Sequence, residues 1–507
     1  MRREHDAKMN EMEFDYKKEL RAFADLAVPT VTSQLMCNGA GALTASYVGR
    51  HLGSICLDGF TLALLSGNLL IFSVVTGIFT ASDTLSAQAY GADNFRSVGL
   101  IAVRGFIASM LVLAPLTLLL CLKMHKFLII IGEEDAPSHL AVEWFRIYAI
   151  SVPFYAVFQI IWKFLSAQGV MRPIVYVCLL CTGVILPLAL EVLIPILGFK
   201  GSAWAMVIYN VSQPCLLILY LAWRHPHHPG TWPGFSKGFL GEAFELKQLK
   251  LYLLLGIGGI FSVAEWWFWE VISLLVGTFG IVPLSVHTVP AQVITVACMI
   301  PIGMGIALAI RIGASLPRSV KVAKAIVFWT YMGGTVIFSL LTLLMWILRQ
   351  QIFAFFTHDQ NVIDGCNRIW WKVCIYFLFF SIFGLNLGVF IGLGMQWTLG
   401  IITAMSLWLF GLPCIYYFSV FLGGGIDAVW TWMIPPYIAM NAILVIVLYF
   451  TDWYQIQKDI RKREGLQDID DNVSDDNIET SGTIYGSTTE RRGEECKLLV
   501  NKVDLIL

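Results

Sequence analysis

Charged residues are scarce in this chain. They make up 14% of its 507 residues, where a soluble domain carries about a quarter, which excludes an ordinary water-soluble enzyme or scaffold of this length. The net charge is −1, so no basic field points to a nucleic-acid partner. The one CxxC pair, Cys178-Leu179-Leu180-Cys181, lies in an apolar run with no second pair beside it, no His/Cys cluster has metal-ligand spacing, and neither a metal nor a cofactor is expected. Most of the 11 cysteines lie in apolar segments, among them Cys178, Cys181, Cys298 and Cys374, and read as small core residues. The N-terminal stretch MRREHDAKMNEMEFDYKKEL lacks the apolar run of a cleaved signal peptide, so the first helix is expected to direct insertion. No nucleophile–base pattern suggests an enzyme.

What the chain has in abundance is apolar length. Hydrophobic residues reach 57% and mean hydropathy is +0.72. Apolar stretches of about 20 residues or more, enough to cross a ~30 Å hydrocarbon core, are expected near 22–47, 57–81, 98–121, 141–165, 173–196, 201–222, 247–276, 284–312, 322–347, 367–394, 397–420 and 426–450. Only helices fit, because lipid-exposed backbone must satisfy its own hydrogen bonds and barrel strands would be shorter and alternating. The expected fold is an all-α polytopic membrane protein of twelve transmembrane helices.

Lysine and arginine set the orientation. With the N-terminus in the cytosol, the inside segments hold 20 of them, from Arg2 to Arg463, against five outside: Arg50, Lys123, Lys126, Lys200 and Arg349. Both termini are therefore expected in the cytosol.

The two halves repeat. GADNFRSV at 91–98 returns as GASLPRSV at 313–320, and Glu19-Leu20-Arg21 as Glu245-Leu246-Lys247. Pro187, Gly198 and Trp204 return as Pro413, Gly424 and Trp430. A repeat of six spans keeps its orientation, so two six-helix lobes related by a pseudo-two-fold axis along the membrane normal should flank a central cleft. The expected organisation is a cytosolic N-terminal segment (1–21), an N-lobe (22–222), a cytosolic linker (223–246), a C-lobe (247–450) and a cytosolic tail (451–507). The linker histidines sit among prolines and glycines and read as plain connection rather than metal ligands. In the tail, a basic stretch after Trp453 is expected beside anionic lipid, an acidic Ser/Thr-rich run to be disordered, and Glu494 to Leu499 has the form of an acidic dileucine sorting signal.

A charge inside a span costs several kcal/mol, on the order of 3 at the helix centre, and so needs a reason. The seventh span holds Glu265-Trp266-Trp267-Phe268-Trp269-Glu270. Glu265 and Trp269 are i,i+4, as are Trp266 and Glu270, so each acid has an indole one turn away. A desolvated carboxylate can hold a proton or pair with a cation, but not both well, and the indoles add cation–π attraction. Glu265 and Glu270 are thus candidates for proton and cation coupling, with Trp266 and Trp269 lining the substrate path. Neutral polar candidates are Gln34 and Asn38 in the first span, Asn68 in the second, His287 and Gln292 in the eighth and Asn386 in the tenth; each can equally be interhelical glue. His287 sits near the outer end of its span and can be wetted. Lys163 is expected to snorkel, Glu191 to reach the interface or pair with Lys200, and Asp83 to cap a turn or pair locally.

These residues resemble the multidrug and toxin extrusion (MATE) family, eukaryotic-type. Asp83-Thr84-Leu85 with Gln88-Ala89-Tyr90-Gly91-Ala92 is similar to its DTL–QAYGA pattern, Phe164 to Gly169 with Pro173 to its turn between spans 4 and 5, and Met299-Ile300-Pro301 with Arg311 and Gly313 to its span 8 motif. Thr231 to Ser236, Glu265-Trp266-Trp267 with Glu270, and Thr451-Asp452-Trp453 resemble the eukaryotic branch. The resemblance implies twelve helices in two V-shaped lobes and export of organic compounds against proton entry. It also implies cation-site roles for Glu265 and Glu270, and family polar positions for Gln34 and Asn68. The chain departs from the pattern at Gln292 and Phe380, where relatives carry acids, at Ile391, where they carry Arg, and at Val184 and Leu188, where they carry Asn.

The resulting expectation is a secondary antiporter that exports organic, cationic compounds in exchange for protons by alternating access. It would act as a monomer whose partners are a small organic substrate and the lipid bilayer, in the plasma membrane or a vacuolar or lysosomal membrane. The alternative is a lipid or glycolipid flippase on the same plan, which would favour basic residues in the cleft; the mid-span charges here are acidic.

Overall fold

The computed structural model describes residues 16–234, 236–357 and 359–466; the acidic tail and the dileucine-like motif lie outside the described residues. Eleven helices among the described residues are long and apolar enough to span a membrane: α2 (Ser54–Gly91), α3 (Phe95–Ile130), α4 (Asp135–Ala167), α5 (Arg172–Leu197), α6 (Phe199–Arg224), α7 (Leu246–Gly277), α8 (Val282–Ser315), α9 (Val320–Ile347), α10 (Gln360–Leu393), α11 (Gln396–Phe421) and α12 (Gly425–Phe450). Before them runs α1 (Tyr16–Leu52), a more polar helix of 37 residues and about 55 Å. The all-α, twelve-helix reading of the sequence therefore holds. The helices outrun the apolar stretches because their ends project beyond the apolar zone, and the connections shrink accordingly. Between α5 and α6 only Gly198 intervenes, at φ 60, a left-handed conformation that glycine adopts without a Cβ penalty.

The repeat is visible in the helix irregularities. α5 widens into a π turn at Cys181–Ile185 just before Pro187, and α11 does so at Ala404–Gly411 just before Pro413. Proline lacks a donor and crowds the preceding turn, and a π turn relieves both. α2 carries a π turn at Asn68–Phe72. Its counterpart α8 is interrupted at Cys298, and α7 is interrupted at Val263-Ala264. Irregular backbone at mid-span is tolerated where it is buried in protein or lines a cavity.

Call the side on which α1 begins and α12 ends the basic face. Packing between the lobes runs through the helix halves near that face: the later part of α2 against the first part of α7 and the second part of α8, and α1 against that same part of α8. The opposite halves pack within their own lobes, so the cleft between the lobes opens away from the basic face. Glycine permits the tightest crossing. A Cβ on Gly77 would meet the backbone of Ile260, and one on Gly259 would meet Thr80 and the Gly77 carbonyl.

Hydrogen bonds seal the basic face. The Ser82 and Tyr252 hydroxyls are 2.6 Å apart. Thr84 Oγ1 donates to the Ile391 carbonyl at 2.5 Å, Gln88 Nε2 to the Gly392 carbonyl at 2.9 Å, and Gln396 Nε2 to Thr84 Oγ1 at 2.6 Å. Arg318 donates to the Gly91 carbonyl at 2.8 Å and to Asp93 at 2.9 Å. Position 391 contributes its carbonyl, which an isoleucine supplies as well as an arginine. Arg311 pairs with Glu19.

Two segments beyond the spans add to this face. The connection between the lobes contains a short helix, Lys237–Ala243, whose Glu242 pairs with Arg96 at 2.8 Å; it is more ordered than a plain Pro/Gly linker. The stretch after α12 is a separate helix, Trp453–Arg463, capped by Asp452, and is set against protein as well as facing outward. Gln457 Nε2 donates to the Leu316 carbonyl at 3.0 Å, Arg463 to Gln88 Oε1 at 2.7 Å, and Asn94 to the adjoining Glu464 at 3.0 Å.

Two expectations about charged residues are corrected, and the choice left open at Glu191 is narrowed. Lys163 does not snorkel, and Asp83 does not pair locally. They pair with each other at 2.7 Å between α4 and α2, with side-chain exposures of 12% and 5%, because burial leaves each charge no other compensation. Lys200 pairs with Glu143 at 2.8 Å, leaving Glu191 exposed.

Candidate functional site

The interruption of α7 at Val263-Ala264 makes Glu265 the first residue of the second helical stretch and turns it into the C-lobe. Its side chain is buried, with 3% of the residue exposed. Tyr437 Oη, on α12, donates to Glu265 Oε1 at 2.7 Å. Around this bond lies an aromatic cluster. The Tyr437 ring meets Tyr376 edge-on at 4.8 Å, and Phe380 and Phe383 both lie 6.2 Å away. Trp269 Nε1 donates to Tyr376 Oη at 2.8 Å. Trp269 also packs on Trp430, centroids 6.0 Å apart, and His287 on Trp430 at 5.5 Å.

The network continues along α12. Asn441 Nδ2 donates to the Tyr437 and Phe379 carbonyls at 2.8 and 2.9 Å, Asn386 Nδ2 to Asn441 Oδ1 at 2.7 Å, and Tyr331 Oη to Asn386 Oδ1 at 2.5 Å. Asn386 is fully buried and bridges α9, α10 and α12. Its polar capacity is spent on helix packing, the glue role weighed from the sequence. Phe380, where an acid was expected from the resemblance, is 5% exposed and packs on Tyr376 at 6.1 Å.

The remaining candidates divide. Trp269 and His287 join the Glu265 cluster. His287 is not wetted as expected: it is 1% exposed, and its Nε2 lies 3.2 Å from Ser273 Oγ. Glu270 is half-buried, and among the described residues its carboxylate has no hydrogen bond or ion pair, which leaves it open to a ligand or to water. Gln292 is exposed on α8 without a polar partner among the described residues. Gln34 is half-buried on α1. Asn38 donates to the Met299 sulfur at 2.9 Å, and Asn68 is exposed at the π turn of α2. Trp266 is 37% exposed. Beside it, Trp267 Nε1 donates to the Leu69 carbonyl and to Ser73 Oγ, both at 3.0 Å. Trp267 thereby ties α7 to the turn that holds Asn68, so Asn68 and Trp266 stand at one level of the lobe junction.

A model of the MatE family matches residues 29–190 and 252–417, one segment in each half and together more than half of the chain. The chain belongs to the MatE family. As a MatE protein it is a membrane transporter and not an enzyme. Multidrug and toxin extrusion protein 2 of Mus musculus is 27% identical over 456 residues, covering 89% of this chain and 78% of the relative. Multidrug and toxin extrusion protein 1 of Danio rerio is 25% identical, covering 96% and 80%. Among solved structures, the eukaryotic MATE transporter AtDTX14 superposes with a TM-score of 0.80 at 21% identity, covering 88% of this chain and 99% of that one. A Vibrio cholerae MATE transporter does so at 0.73 and 17%, covering 88% and 98%. The two-lobe, twelve-helix MatE architecture is thus that of this chain.

Tyr437, Tyr376 and Asn441, which the sequence did not single out, complete the site, together with Trp430 and Trp267, which it marked only in the repeat and in the family motif. All are neutral, and a tyrosine or tryptophan within a span carries no pattern that separates a ligand-facing ring from a packed one. Asp83 and Lys163 were detectable, being opposite charges near the same face in neighbouring spans.

Proposed function

We propose that the chain exports organic, cationic compounds in exchange for protons, with Glu265 as the group for which proton and cation compete. The observation that carries this reading is the buried Glu265 carboxylate, held by one hydroxyl donor and surrounded by aromatic rings. A neutral, protonated acid suits that environment without a partner; an ionised one needs a cation. Neighbouring indoles favour a lipophilic cation over a hydrated metal ion. Glu270, without a partner among the described residues, is a second acceptor on the same helix, while Trp266, Asn68, Gln34 and Gln292 face the substrate path. Transport proceeds by alternating access, and the conformation described, sealed at the basic face and open opposite, is the outward-facing one. Both termini lie in the cytosol, of the plasma membrane or of a vacuolar or lysosomal membrane, and one chain suffices because it contains both lobes.

For one monocation against one proton the exchange is electroneutral, and each pH unit supplies about 1.4 kcal/mol, roughly tenfold accumulation. The test is cation uptake into proteoliposomes under an imposed pH gradient. Wild type should concentrate the cation and Glu265→Gln should only equilibrate it. Undiminished gradient-driven accumulation by Glu265→Gln would defeat the proposal.

A further inference from the structure

A second constellation lies far along the chain from the transport site, on the face opposite the basic one. α3 ends at a tight turn, with Gly132 at φ 101, and α4 starts at Asp135. The turn folds His125 of α3 back onto Asp135 and His139, which are one turn apart on α4. His125 Nε2 lies 3.1 Å from Asp135 Oδ1, and His139 Nε2 lies 3.8 Å from the same oxygen. The imidazole centroids are 4.2 Å apart. One ligand atom from each of the three residues lies within 4.8 Å of the others. The sequence offered no cluster with metal spacing; only the turn between two helices creates this one.

We propose that His125, Asp135 and His139 bind a divalent first-row transition ion, with Zn2+ as the best fit. Two imidazoles and one carboxylate form a nitrogen–oxygen donor set suited to zinc, with a fourth position for water. Ligand atoms around a tetrahedral zinc stand about 3.3 Å apart, given bonds of about 2.0–2.1 Å. Closing from 4.8 Å requires about 1.5 Å of movement. Asp135 and His139, with side chains 73% and 68% exposed, can supply it by rotation without disturbing the core. Glu133 and Glu134 in the same turn add negative charge. A bound ion would clamp α3 to α4 within the N-lobe, outside the cleft.

The experiment uses the purified full-length chain, stripped of metal, titrated with Co2+ and read by its visible d–d absorption, with Zn2+ as competitor. Saturable one-to-one binding is expected, with tetrahedral-type Co2+ bands that Zn2+ displaces. Binding should weaken on the order of tenfold or more in His139→Ala, and likewise in Asp135→Asn, a near-isosteric change that guards against a misfolded alanine variant. Unchanged affinity in a His125→Ala/His139→Ala protein, or no saturable Zn2+ or Co2+ binding at micromolar concentrations, would overturn the proposal.

Discussion

Replacing Tyr437 by Phe removes one oxygen and leaves the ring. The ring is fully buried against Tyr376, Phe380 and Phe383, so packing is retained and the loss is the 2.7 Å bond to Glu265. A hydrogen bond to a charged group is worth about 1.5–3 kcal/mol, against about 0.5–1.5 between neutral groups. The ionised carboxylate therefore loses about 1–1.5 kcal/mol more than the protonated one. Cation binding that needs the ionised form should weaken roughly tenfold, at about 1.4 kcal/mol per decade, while the fold loses about 1 kcal/mol. The assay is equilibrium binding of a radiolabelled lipophilic monocation to purified protein at neutral pH. Tyr376→Phe serves as control, because its hydroxyl accepts from Trp269 and the effect on Glu265 would be indirect. Unchanged cation affinity in Tyr437→Phe, or an equal loss in both variants, would refute the assignment of Tyr437 as the donor that sustains the charge.

Other perturbations test the scaffold. Asp83→Asn strands Lys163 in a buried site and should cost about 3–5 kcal/mol, whereas replacing both partners by apolar residues of similar size should restore much of it; thermal unfolding in detergent separates the two outcomes. Gln88→Leu deletes the bonds to Gly392 and from Arg463, about 2 kcal/mol in total. It should raise the population open at the basic face roughly thirtyfold, read as faster labelling of a cysteine placed at Ala92. The Arg96 guanidinium beside Glu242 holds that carboxyl below its ordinary value of 4.5. The carboxylate is therefore the favoured form throughout neutral pH, and the tie should loosen only as pH falls below about 4.5. Glu242→Gln should mimic that acid state at pH 7 in hydrogen exchange of the Lys237–Ala243 helix.

Much of the fold was legible because the bilayer imposes length and apolarity on every span, and because Pro187 and Pro413 mark equivalent places in both halves. Helix ends were not, since polar turns such as Ala87 to Gly91 continue helical well past the apolar stretch. At the site, Glu265 stood out because charge in a span is conspicuous. Its partner did not, because Tyr437 follows two prolines in an otherwise apolar run, and only the approach of α12 to the second stretch of α7 brings it to the carboxylate. Asn386 illustrates the reverse case: its polarity was legible, and only its two partners, Tyr331 and Asn441, reveal that it braces helices. The metal-like cluster was invisible because its first ligand stands ten residues from its second, across a turn whose geometry no spacing rule describes.

The helix after α12 grips both halves of the molecule at once: Gln457 holds the end of α8, while Arg463 and Glu464 hold the end of α2 and the start of α3. Any rigid-body parting of the lobes on that side must break one grip or the other. The segment therefore acts as a mechanical fuse, failing first at whichever end is weaker. By reciprocity, whatever binds the helix more tightly in its docked position shifts the equilibrium toward the closed basic face by the same free energy with which closure strengthens that binding.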